Sequence, residues 1–266
     1  MKKTSDVMTA TLEQSRQGQV LILTIANAEH RNALGPEIYA EGMRALITAK
    51  EDKGISCVVI VGEGSMFSAG GNLQRLQANR QQPPSVQAQS IDGLHTWIEA
   101  IGALPKPVIA AVEGAAAGAG FSLALSCDFI VAASDAVFVM AYSNIALSPD
   151  GGGSWRLTHA LPRQLVNELL MCGERITAQR LNDLGIVNRV TTPGSALTDA
   201  LELGNRLCGR AANALASVKT LVQQAHHNTL PDHLKQERDH FVANLHHANA
   251  GAGISAFLLK QRPRYE

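Results

Sequence analysis

The 266-residue chain carries 23 Lys plus Arg against 23 Asp plus Glu, so its formal net charge is zero and no overall basic field exists to hold nucleic acid or an anionic membrane. With 45% hydrophobic and 17% charged residues, composition excludes disorder, and the length fits one large domain or a domain with an appendage. Four cysteines, at 57, 127, 172 and 208, show no CxxC spacing, so neither a zinc ribbon nor a disulfide framework is expected and a reducing cytoplasm fits best.

The opening MKKTSDVMTATLEQ has two lysines but no apolar run behind them, so no signal peptide is expected there. The β-branched run Val20–Ala26 reads as a strand. Pro36 then opens a helix with Tyr39, Met43, Leu46 and Ile47 on one face. A second strand, Cys57–Val61, runs into the glycine-rich GEGSMFSAGGN. PPSVQAQ reads as a surface excursion, after which Leu94, Trp97, Ile98 and Ile101 mark an amphipathic helix ended by Pro105 and Pro107. Further strands are expected at Val108–Val112, Phe129–Ala132, Val137–Met140 and Ile186–Val190. The apolar stretch 108–133 is broken by Glu113, Asp128 and three glycines, which makes it a core element and not a membrane span. Strands alternating with helices predict an α/β architecture with much parallel pairing. Beyond about residue 205 the pattern is all-helical, with Leu234, Phe241 and Leu245 on an amphipathic face that needs a partner surface.

Two glycine-rich loops each follow a strand and lead into a helix: Gly62 to Asn72, and Glu113 to Ser122. Small residues let a ligand approach the unpaired N–H groups at a helix start, which suits an anion or a developing oxyanion, although tight helix–strand packing uses the same residues. Neither loop has GxxxxGK[ST] or GxGxxG spacing, which disfavours nucleotide cradling.

Four segments resemble the crotonase (enoyl-CoA hydratase/isomerase) superfamily, in the family's order. Arg31-Asn32-Ala33-Leu34 is similar to its N-A-L segment, and Phe67-Ser68-Ala69-Gly70-Gly71-Asn72-Leu73 to its F-x-A-G-x-D-L loop. Lys106 to Gly114, running on to Cys127-Asp128, is similar to its K-P-V-I-A-A-V-x-G…C-D stretch, and Ala256 to Pro263 to its terminal A-F-x-x-K-R-x-P. The resemblance implies a crotonase-like spiral of ββα units over 1–205 and a helical trimerisation region over 206–266, assembling as a trimer or a hexamer of two trimers. It implies an acyl-CoA substrate and no cofactor beyond the CoA of the thioester. By position, the Gly71 and Ala119 N–H groups would hold an enolate oxygen. Arg31, Ala33, Leu34 and Ala69 would meet the CoA, with Phe257 and Lys260 reaching in from the tail.

The acid–base groups depart from the family's hydratases. Where those carry two glutamates, this chain has Ser122 and Asn144, neither an efficient general base near neutral pH. Asp150, in SPDGGG, aligns instead with the aspartate of dienoyl-CoA and phenylacetate-type ring-epoxide/oxepin-CoA isomerases, and with the nucleophile of 4-chlorobenzoyl-CoA dehalogenase. Capping of the following helix is the competing role for Asp150. The resemblance therefore implies isomerisation of an unsaturated or ring-epoxide acyl-CoA, with Asp150 as proton shuttle. A hydratase, an aspartate-nucleophile hydrolase or dehalogenase, and a non-catalytic acyl-CoA binder are the alternatives. Glu113 stands as a candidate near the second loop, and Asn72 as a loop-holding residue. Trp97 and Trp155 read as core or pocket walls. The tail histidines show no ligand spacing, so no metal is expected.

Overall fold

The computed structural model describes residues 10–265; most of the opening segment discussed above lies outside them. β1 (Thr11–Gln17) and β2 (Val20–Ala26) form an antiparallel pair, and α1 (Pro36–Glu51) leads to β3 (Cys57–Gly62). α2 (Leu73–Asn79) and α3 (Pro84–Ala103) precede β4 (Val108–Val112), β5 (Ala115–Ala117) and α4 (Ala119–Ser126). β6 (Phe129–Ala133) and β7 (Val137–Val139) are followed by α5 (Gly153–Ala160) and α6 (Arg163–Asn167). Then come β8 (Arg175–Thr177), α7 (Ala178–Asp183) and β9 (Arg189–Thr191). The chain closes with α8 (Ala196–Cys208), α9 (Ala212–Gln224), α10 (Leu230–Leu245) and α11 (Ala248–Leu258).

Six strands form one sheet in the order β1-β2-β3-β4-β6-β9, parallel from β2 onward. β5, β7 and β8 form a second, smaller sheet. Consecutive strands β4 and β5, then β6 and β7, each place one member in each sheet. All residues of β3 and β4 are buried, as expected where helices cover both faces of a parallel sheet. The period-two alternation decides which face each side chain serves. Leu21, Leu23, Val58, Ile60 and Ala110 join the core beneath α1 and α3, while Val20, Ile22, Cys57, Val59 and Ala111 join a second core beneath α8. Gly204 of α8 has room for little else: a methyl there would sit 3.2 Å from the Val20 side chain. Residue 205 lies inside this sheet-covering helix, and the helices beyond it, α9 and α10, bury no residue in the protomer.

Three expectations change. PPSVQAQ is not a loop: Pro84 takes the first helical position of α3, where its missing N–H costs nothing. Ile47 on α1 is 53% exposed, so the buried stripe there is narrower than the periodicity suggests. The strand expected at Ile186–Val190 runs Arg189–Thr191, because the Ile186 and Val187 N–H groups turn back to the Leu181 carbonyl.

Candidate active site

The first glycine loop is stitched to the second by backbone hydrogen bonds. Phe67 N–H donates to the Glu113 carbonyl (2.9 Å), Ser68 N–H to Ala115 (3.1 Å), and Ala117 N–H back to Ser68 (2.9 Å). On the other side, Ala69 N–H donates to the Arg31 carbonyl (2.9 Å) and Leu34 N–H to Gly70 (2.7 Å). Buried Asn32 locks this layer through Nδ2, which donates to the Glu63 and Met66 carbonyls at 2.9 and 2.7 Å. Close approach requires glycine at two points. A methyl on Gly70 (φ +84°) would lie 2.5 Å from the Ala117 carbonyl oxygen and 3.0 Å from the Ala119 nitrogen, and one on Gly120 would lie 2.6 Å from the Ser68 oxygen. Gly71 and Ala119 therefore come together at the edge of one cavity. Among the described residues neither N–H has an acceptor.

That cavity, of about 870 Å³, is also lined by Arg31, Ala33, Leu34, Ala69 and Asp150. Seven of the nine site residues read from the sequence thus converge. Phe257 and Lys260 do not line it; Phe257 is 84% exposed and Lys260 lies on the surface just past α11. Nor do the other readings all land here. Asn72 accepts from Arg75 N–H (3.0 Å) and caps α2. Glu113 points away, its two carboxylate oxygens accepting from Gly194 N–H (3.0 Å) and Ala196 N–H (2.8 Å) at the start of α8. Trp97 is core, whereas Trp155 lines a separate cavity and stacks on His227 at 5.8 Å. Among the described residues no cluster of three or more His, Cys, Asp or Glu could hold a metal ion.

Asp150 is not a helix cap. α5 begins after Gly152 with no side-chain cap, and Asp150 Oδ1 instead accepts a 2.6 Å hydrogen bond from the Tyr142 hydroxyl. Its main chain is held as well, because Ser122 Oγ donates to the Asp150 carbonyl (2.9 Å). Gly151 N–H adds a bond to His95 Nε2 (3.3 Å). Burial pushes the Tyr142 phenol far above its ordinary value, and the neighbouring Asp150 charge pushes it further, so the hydroxyl stays a donor. Ser122, at the place of the first glutamate of the family's hydratases, holds backbone here. It is fully buried under the 150–153 turn, and a methyl on Gly151 would already lie 2.9 Å from its Cβ. Asn144 is exposed at the rim and donates to the Gly173 carbonyl (3.2 Å). Tyr142, His95 and Tyr39, all lining the cavity, were not singled out by the sequence. Residue spacing marks Tyr39 only as a position on the α1 face, and the three arrive from separate parts of the chain.

Residues 15–266 match the family model described as enoyl-CoA hydratase/isomerase. The chain is 32% identical to the 1,2-epoxyphenylacetyl-CoA isomerase of Escherichia coli K12, over 92% of this chain and 94% of that protein. It is 33% identical to the 2,3-dehydroadipyl-CoA hydratase of the same organism, over 95% and 97%. A crystal structure of an enoyl-CoA hydratase from Polaromonas sp. JS666 superposes with a TM-score of 0.96 at 63% identity, covering 96% of this chain and 100% of that one.

Proposed function

Since the chain belongs to the enoyl-CoA hydratase/isomerase family and is an acyl-CoA enzyme of that kind, we propose that it isomerises an unsaturated or ring-epoxide acyl-CoA, with Asp150 as the single proton shuttle. The observation that carries this reading is the Asp150 carboxylate lining the cavity shared by Gly71 and Ala119, while positions 122 and 144 hold a buried hydroxyl and an amide. For a 3-enoyl thioester, Asp150 takes a C2 proton. The C–H pair forms the C1–C2 double bond and the carbonyl pair moves onto oxygen, where the Gly71 and Ala119 N–H groups stabilise it. Protonation at C4 by the same carboxyl then leaves the double bond at C2–C3. No metal or nicotinamide enters this balance. The CoA lies against Arg31, Ala33, Leu34 and Ala69. Phe257 and Lys260 contribute from a neighbouring copy in a cytoplasmic trimer or hexamer.

Asp150→Asn keeps the size of the side chain and removes the base. With 3-hexenoyl-CoA in D₂O, kcat for double-bond shift and deuterium uptake is expected to fall about 10²- to 10⁴-fold, with affinity changed by no more than a few-fold. Retention of more than about a third of the rate would remove Asp150 from the mechanism. The 63% identity to a protein named as a hydratase supports a second reading, in which Asp150 activates a water. Loss of conjugated absorbance on crotonyl-CoA, with no shift of 3-hexenoyl-CoA, would select it.

A further inference from the structure

We propose that the Tyr142 hydroxyl is the positioning group of the proton shuttle: its bond to Asp150 Oδ1 fixes which carboxylate oxygen faces the acyl chain. The inference rests on Asp150 being the base. At 2.6 Å the contact has the length of a charge-assisted O–H···O⁻ bond.

Both partners are held rigidly. Tyr142 is 9% exposed and its ring lies over Gly118, where a methyl would meet the phenol carbon at 3.6 Å. Its carbonyl accepts from Ile145 N–H (3.1 Å) and Leu147 N–H (3.0 Å), which closes the turn that leads to Asp150. Ser122 pins the Asp150 carbonyl from beneath. With Oδ1 engaged, Oδ2 is left without a donor among the described residues, so it is the oxygen free to accept a substrate proton.

The other polar groups facing this carboxylate do not substitute for the phenol. His95 from α3 spends Nε2 on Gly151 N–H. Tyr39 from α1 and Arg75 from α2, which pairs with Glu37 of α1 at 3.0 Å, line the same cavity, but neither donates to the Asp150 side chain. Tyr142 lies next to the loop that carries the Ala119 N–H, so one rigid ring sets base and oxyanion site in register.

The test separates kcat from KM for double-bond shift of 3-hexenoyl-CoA, measured on the full-length enzyme. Tyr142→Phe removes the donor and keeps the ring, so kcat is expected to fall about tenfold through lost orientation of the carboxylate, with KM changed by no more than a few-fold. Replacing Tyr142 by 3,5-difluorotyrosine keeps both ring and donor, so kcat is expected to stay near the parent value. A side chain that merely filled space would leave kcat unchanged in both variants. If Asp150→Asn is inactive and Tyr142→Phe keeps the parent kcat, the positioning role falls and the shuttle stands. If Asp150→Asn turns over normally, both fall. Should Tyr142→Phe fail to fold, 4-fluorophenylalanine at position 142, which fills the space of the hydroxyl without donating, decides alone, an unchanged kcat overturning the inference.

Discussion

Around the acyl cavity, Gly70 and Gly120 bring backbone against backbone with no side chain between, and every group proposed for the chemistry comes from residues 31–150 of a single protomer. On α10 the opposite holds: Leu234, Phe241 and Leu245 are 52, 67 and 47% exposed, and the helix buries nothing. The proposed base and N–H donors of the first region come from one chain, and hydrogen bonds between loops fix those N–H groups. The second presents an apolar face that one chain leaves open to water. The acid–base and oxyanion groups and the open apolar face thus lie in different parts of the fold, and a substitution in either should leave the residues of the other in place.

After the loss of Asp150 itself, the largest effect on turnover is expected where backbone meets backbone. Gly70→Ala forces a methyl against the Ala117 carbonyl and the Ala119 nitrogen at a φ of +84°, so the loops must part. Displacing the donors should lower kcat about 10²-fold, and strain of this kind costs about 2 kcal/mol in denaturant unfolding. A variant that melts normally and works at more than a third of the wild-type rate, far above that estimate, would show that the loops have slack.

One side chain ties the helical tail to the core. Lys219 on α9 donates to the Asp128 carboxylate (2.7 Å) and to the Ile101 and Lys106 carbonyls (2.8 and 3.1 Å). Lys219→Met would strand a half-buried carboxylate, a loss of about 3 kcal/mol. Burial already pushes the Asp128 carboxyl above its ordinary value, with Lys219 pulling it down. Without Lys219 the folded state holds that proton more tightly than the unfolded chain. The variant should therefore be least impaired below the ordinary Asp value of about 3.9, and lose stability as pH rises through the raised one. Equal loss at acid and neutral pH would rule out this electrostatic origin.

How much of this was legible in the sequence follows the same division. Apolar runs such as Cys57–Val61 and the order of the four motifs identify the strands and bring Gly71, Ala119, Asp150 and Arg31 to one cavity, because local pattern and motif order carry that information. The Tyr142–Asp150 bond spans a turn with no periodicity, and Glu113 reaches more than 80 residues along the chain to cap α8, so neither leaves a local signal. PPSVQAQ misleads because proline marks loops and first helical turns equally. Phe257 and Lys260 lie outside the cavity of their own protomer, a fact that no residue pattern within one chain expresses.

The smallest effect on the protomer, and the sharpest on assembly, is expected at Phe241. Its side chain is 67% exposed and lines a shallow groove with Leu234, Val218 and Leu221. Replacing an exposed residue that buries nothing shifts monomer stability by only about 0.5 kcal/mol, so Phe241→Asp should melt as the parent protomer does. If this face seats a second copy, a carboxylate placed in the apolar contact loses its water without gaining a partner, and association weakens. Light scattering at micromolar concentration should then give a mass near three or six times the 28.3 kDa chain for the parent, and a shift toward 28.3 kDa for the variant. Turnover should fall with it, through KM more than kcat, because Phe257 and Lys260 would lose the neighbouring cavity while Asp150, Gly71 and Ala119 stay in place. A parent already monomeric at that concentration would overturn the assembly. A monomeric variant with unchanged KM would confine the tail to assembly and remove Phe257 and Lys260 from the CoA site.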